Sequence, residues 1–283
     1  MPMTPAEIEK RVESLSNLPT LPGIVKVLTS MVENSAVAAS DIGEVIAKDQ
    51  VLSARLLRLV NSPVYGFPGR ISSVTHAIVL LGFNVVKGLV LGAAVFDSMA
   101  GETQGLWEHS LGCAVISRRI AKERRMKDPE EIMVAGLLHD LGKVVLAYLE
   151  PAGYADTRQT AYDARLHISA AEREVFGVDH AHVASWIARH WRLPLRLSDP
   201  LVYHHAPSRA VDFKDATAVV HLADILARGM GYGYPGDMTM PLLDHDAFHA
   251  IGLSFLQIDR ILEESETEYR AGVDVLARQG IAP

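Results

Sequence analysis

Residues 134–146 read Val-Ala-Gly-Leu-Leu-His-Asp-Leu-Gly-Lys-Val-Val-Leu, an apolar helical stretch interrupted by the adjacent pair His139–Asp140. Burying an imidazole beside a carboxylate is costly unless something pairs with them. A divalent metal fits that requirement, because neutral imidazole and carboxylate are both good ligands for first-row ions. Gly142 is read as the point where the backbone turns after the pair.

Outward from this stretch, apolar residues recur at helical spacing almost everywhere, and no convincing run alternates with period two. The expected fold is all-α. Leu21, Ile24, Val25, Val27 and Leu28 form one stripe after the Leu-Pro-Thr-Leu-Pro-Gly start at 18–23. Ser40–Asp41 resembles an N-cap, and residues 51–60 read as a strongly apolar helix that stops near Asn61-Ser62-Pro63. Residues 65–73 are loop, and two helices broken near Gly82 follow. That pair, 74–91, has the outline of a helix-turn-helix, but its second helix is mostly apolar and offers one basic residue, Lys87. It reads as a buried hairpin, not a DNA reader.

A break at 100–105 (Ala-Gly-Glu-Thr-Gln-Gly) divides an N-terminal helical subdomain, 1–100, from a second one, 101–283, which holds every candidate site histidine. The two are free to share one core. A second irregular stretch, 229–241, precedes an amphipathic C-terminal helix from about Ser254. Its Gly-Tyr-Gly-Tyr-Pro-Gly follows no strand, so it lacks the context of a dinucleotide fingerprint.

The 283 residues are 49% hydrophobic with a net charge of -7 and a pI of about 5.9, a balance that argues against general nucleic-acid binding. Cys113 is the single cysteine, so no intrachain disulfide forms and a reducing compartment fits. The first fifteen residues are charged and amphipathic without a signal-peptide stretch, and apolar runs such as 88–96 fall short of a membrane span. The expectation is a soluble cytoplasmic protein.

Seven residues after position 105 fall at helix ends or within apolar helices: His109, His139, Asp140, His180, His204, His205 and Asp224. Five imidazoles and two carboxylates suit a pair of divalent ions bridged by one carboxylate. Two such ions would outweigh the carboxylates and create a net-positive pocket able to attract a phosphate ester, polarise it and lower the pKa of water. Lys143, one turn beyond His139, is placed to offset charge on a phosphoryl oxygen. Taken singly, each histidine reads more readily as a hydrogen-bonded structural residue. Asp224 has His221 and Arg228 as potential partners on its own helix. The joint occurrence of HD, HH and an Asp in an apolar helix carries the metal reading. His182 competes with His180, and spacing does not choose between them.

The order His109, His139–Asp140, His180, His204–His205, Asp224 resembles the HD superfamily of metal-dependent phosphohydrolases and is similar to the HD-GYP phosphodiesterases of cyclic-di-GMP. The rest of the chain resembles the sister HDOD family, through residues 18–28, 48–66, 71–91, 106–110, 186–194, 204–207 and 219–229. The resemblance implies an all-α HDOD fold with an HD-type second subdomain, a bacterial signalling role exerted through protein partners, and iron or manganese ahead of zinc or cobalt. It selects His180 over His182, makes Asp140 the bridging ligand and places Lys143 at the phosphate. Many HDOD members carry a degraded site, whereas this chain has a suitable residue at every ligand position. The GYP element is missing after the HH pair. Tyr234–Pro235 lies beyond Asp224 and is not that motif. The readings are therefore a metal-holding signalling module, a phosphodiesterase or phosphohydrolase acting on a cyclic dinucleotide or nucleotide, and plain polar packing.

Overall fold

A computed structural model describes residues 2–14, 38–47, 49–65, 67, 69–96 and 103–277. The stripe at 21–28, the 18–23 start and residues 100–102 of the break lie outside them. Among the described residues every regular element is helical, so the fold is all-α.

Helix α1 (Pro5–Glu13) begins with a reciprocal cap: Thr4 Oγ1 accepts from the Glu7 N–H, and Glu7 Oε2 accepts from the Thr4 N–H. Four helices follow: α2 (Ala39–Ala47), α3 (Gln50–Val60), α4 (Val74–Leu81) and α5 (Phe83–Phe96). Helix α2 starts at Ala39, ahead of the expected Ser40–Asp41 cap. Asp41 is inside its first turn and its carboxylate reaches back to the Ala38 N–H. Asp49 caps α3 and Ser73 caps α4. Gly82, at φ 83°, provides the left-handed joint between α4 and α5 that a side chain would strain.

Lys87 on α5 is buried, and its Nζ donates to the carbonyl oxygens of Trp191 and Arg192, each at 3.0 Å. The one basic residue that helix offered for reading DNA is thus spent inside the protein, as a buried hairpin requires.

The second half is built on α6 (Leu106–Glu123), which is buried nearly all round and therefore lies in the middle of the bundle. It packs against α7 (Pro129–Leu138), α13 (Lys214–Gly229) and α15 (Phe255–Ala277). Between α7 and α13 come α8 (Leu141–Leu149), α9 (Pro151–Ala164), α10 (Ile168–Phe176), α11 (His180–His190), α12 (Leu195–Tyr203) and a 3-10 turn at Pro207–Arg209. Helix α14 (His245–Ile251) precedes α15. Helix α5 packs on α7, and buried residues of both halves, among them Val60, Leu89, Ile116, Val134 and Leu197, belong to one continuous core. The span Pro129–Leu149 is long and apolar enough to cross a membrane, and 83% of its apolar window is buried in this core.

Candidate metal centre

Six helices converge on one polar cluster inside the second half, most of them through their ends. Helix α6 brings His109 one turn from its start, and α7 ends on His139 as its cap. Asp140 follows it as the last position before α8, and Lys143 lies in the first turn of α8. His180 opens α11, His204–His205 follow α12, and Asp224 lies mid-way along α13. All seven residues named from the sequence meet here. His182 does not join them: it is exposed and its Nδ1 lies 2.8 Å from Asp179.

The carboxylate of Asp140 sits at the centre. Its Oδ2 is 3.2 Å from His139 Nε2 and 3.8 Å from His109 Nε2, while His109 Nε2 is 3.1 Å from Asp224 Oδ1. Its Oδ1 is 3.4 Å from His180 Nε2 and 3.8 Å from His204 Nε2. His180 Nε2 and His205 Nε2 lie 2.9 Å apart. Two groups with metal-ligand spacing result, His109–His139–Asp224 and His180–His204–His205, and a third, His139–Asp140–His204, spans the gap between them.

The rings are oriented from behind. His139 Nδ1 is 2.7 Å from the Gly136 carbonyl, and His204 Nδ1 lies 3.1 Å from that of Leu201. Nδ1 therefore carries a proton in each, which turns Nε2 inward. His139 Nε2, His204 Nε2 and Asp140 Oδ1 are buried without an aligned hydrogen-bond partner. Such atoms are costly in a dry core and are the donor set a divalent metal takes. Burial pushes the pKa of His109, His204 and His205 down, which keeps these imidazoles neutral. Burial works to raise Asp140, but His139 and Lys143 outweigh it and hold the carboxyl well below its usual range; against the same burial, Asp140 draws the His139 imidazole well above its ordinary value. Arg228 and His109 do the same for Asp224.

Glu172 is a participant with no signal in the sequence, while Arg228 and Lys143, both named from it, take up further partners. Glu172 of α10 is wholly buried, with Oε2 2.5 Å from His180 Nδ1. Arg228 places Nε 3.0 Å from Asp224 Oδ1 and reaches Asp237 and the Thr239 carbonyl through Nη1, so the i+4 pairing available to Asp224 forms inside the cluster. Lys143 Nζ divides itself between Asp140 Oδ2 at 2.7 Å and the Pro235 carbonyl at 3.0 Å. The glycine-rich stretch is therefore a clasp over the site: Tyr234 N–H donates to the Gly105 carbonyl, and Gly233, at φ 64°, fits against the start of α6 where a Cβ would clash. Gly142 does not mark a turn. It is helical, and its missing side chain lets α8 press against the backbone of His180.

Of the seven residues, His205 alone is not fully buried, and it lines a cavity of about 580 Å³ with His167, Ser169, Arg173, His182, Tyr203 and Arg209. Exposed Met240 and Leu242 border the same cavity.

An all-α bundle closing five histidines and Asp224 around the central carboxylate of Asp140 defines an HD-type helical module. The HDOD domain matches residues 18–207, and the chain belongs to the HDOD family. It is similar to an HDOD domain protein of unknown function from Geobacter sulfurreducens, with 28% identity, 95% of this chain and 96% of that one covered, and a TM-score of 0.71. A candidate phosphohydrolase from Shewanella amazonensis SB2B shares the fold at 22% identity, with 95% and 96% covered and a TM-score of 0.68. An uncharacterized protein of Treponema pallidum (strain Nichols) is 25% identical over 260 residues, 90% of this chain. The chain spans about half the length of that curated relative, 48%.

Proposed function

We propose that this chain is a cytoplasmic signal-transduction module that holds two divalent metal ions and acts through contacts with a protein partner. The observation that supports it best is the division of Asp140, whose two oxygens face different sets of imidazoles. In this reading His109, His139, Asp140 and Asp224 hold one ion, and His180, His204, His205 and Asp140 hold the other. Charge favours it. Asp140, Asp224, Glu172 and Asp237 are buried with only Lys143 and Arg228 as cations among these contacts, so neutral imidazoles leave negative charge that a divalent ion cancels and a second reverses. Iron or manganese is preferred, and the same ligand chemistry accepts zinc or cobalt. Adjacent exposed apolar residues on α4, Val79 and Leu80, are suited to a partner surface.

The test is metal analysis by plasma mass spectrometry on protein purified without an affinity tag or chelator. About two equivalents per chain, lost in Asp140→Ala, is the expected result. Metal-free wild-type protein, even after anaerobic reconstitution with Fe²⁺ or Mn²⁺, overturns the reading.

The cavity at His205 favours a second reading, a phosphohydrolase acting on a phosphate ester such as a nucleotide or cyclic dinucleotide. Bound metal would supply Lewis acidity toward a phosphoryl oxygen. Arg209 and Arg173 would bind the phosphate at the cavity wall, and Tyr203 with Met240 would receive the organic part. Lys143 would hold Asp140 in place, its ammonium also anchored by the Pro235 carbonyl. Under this reading Asp140→Ala abolishes hydrolysis of bis(p-nitrophenyl) phosphate and cyclic dinucleotides in a folded protein. An unchanged rate in that variant would sink it.

A further inference from the structure

We infer that Glu172 is a positioning carboxylate for His180, dedicated to the half of the metal centre formed by His180, His204 and His205; this rests on the metal reading above. The role follows from what Glu172 is used for. It is fully buried, and its Oε2 meets both the Nδ1 of His180, at 2.5 Å, and the backbone N–H of the same residue, at 2.8 Å. Its Oε1 has no partner, and among the described residues no lysine or arginine forms an ion pair with it. A carboxylate in a dry core is costly unless it balances a charge. The charge it can balance lies on the far side of the imidazole.

His180 Nε2 faces His205 Nε2 at 2.9 Å and Asp140 Oδ1 at 3.4 Å. Two nitrogen lone pairs cannot face each other at that distance without a proton or a metal ion between them. The rings of His139 and His204 are backed by neutral carbonyls, whereas His180 is backed by a full negative charge. A carboxylate behind an imidazole fixes its tautomer, turns Nε2 toward the metal and raises its basicity as a ligand. Capping does not account for Glu172, since Asp179 already caps α11 through the His182 N–H.

The experiment is titration of the full chain, stripped of metal, with Mn²⁺ by calorimetry and with Co²⁺ by visible absorption. Glu172→Gln keeps the length and an acceptor for both N–H groups and removes the charge. One of the two sites should weaken by about 10–100-fold, with altered Co²⁺ bands, while the other keeps its affinity. Asp224→Ala should weaken the opposite site. Glu172→Asp, which keeps the charge on a shorter arm, should restore part of the affinity, and it carries the test if Glu172→Gln does not fold. Wild-type affinity at both sites in whichever of these variants folds overturns the inference and leaves the metal reading standing. A wild-type protein that binds neither ion overturns both.

Discussion

A Cβ placed on Gly142 would collide with the backbone of His180, lying 2.8 Å from its carbonyl carbon and still closer to the oxygen. The first turn of α8 and the first residue of α11 are therefore seated directly on one another. The spacing between Asp140 and His180 depends on that contact.

Gly142→Ala tests this seat. Alanine would gain about 1 kcal/mol of intrinsic helix stability over glycine. The obstacle is backbone, which cannot swing aside, and overpacking of this kind costs about 1–3 kcal/mol. The collision wins, so the variant should melt below the wild type and lose metal on the His180 side. A melting temperature equal to or above the wild type's would show that α11 is free to move.

Arg228 joins two buried carboxylates, Asp224 at 3.0 Å and Asp237 at 3.2 Å. Arg228→Met strands both, and removing one partner of a buried ion pair costs about 3–5 kcal/mol. Arg228→Lys keeps the charge without the fork and should recover only part of the loss. Denaturant midpoints of the three proteins give the order. Equal midpoints for wild type and Arg228→Met would contradict the network.

Lys87 gives the protein a pH dependence far from the site. Burial pushes its ammonium down to about 8, while the unfolded chain keeps the ordinary value of 10.5. Between these values the unfolded state holds the extra proton, so this group makes stability rise with pH. The cost of burying the charge is present below pH 8 and is relieved toward pH 10.5. The neutral amine still has two N–H groups for the Trp191 and Arg192 carbonyls. From pH 7.5 to 10, wild type should gain on the order of 2 kcal/mol relative to Lys87→Met. A constant difference across that range would mean that Lys87 keeps its proton in the folded state.

The helical class, and which side chains were chemically fit to meet, were legible in the chain's local pattern. Apolar spacing placed the helix at 51–60, one residue short of its observed start at Gln50, the joint at Gly82 and the C-terminal helix, because local periodicity and turn chemistry act within a few residues. The seven candidate residues were legible for a related reason: a His or Asp in an apolar helix stands out as a burial cost without a local remedy. Tertiary structure alone decided how that cost is met. The two faces of Asp140, the carboxylate of Glu172 behind His180, the Pro235 carbonyl on Lys143 and the backbone against Gly142 join helices distant in the chain. Their contacts depend on packing angles and on the closing of the 230–241 clasp. Glu172 looked like any surface glutamate and Gly142 like any turn, because nothing within a few residues of either one indicates what presses against it.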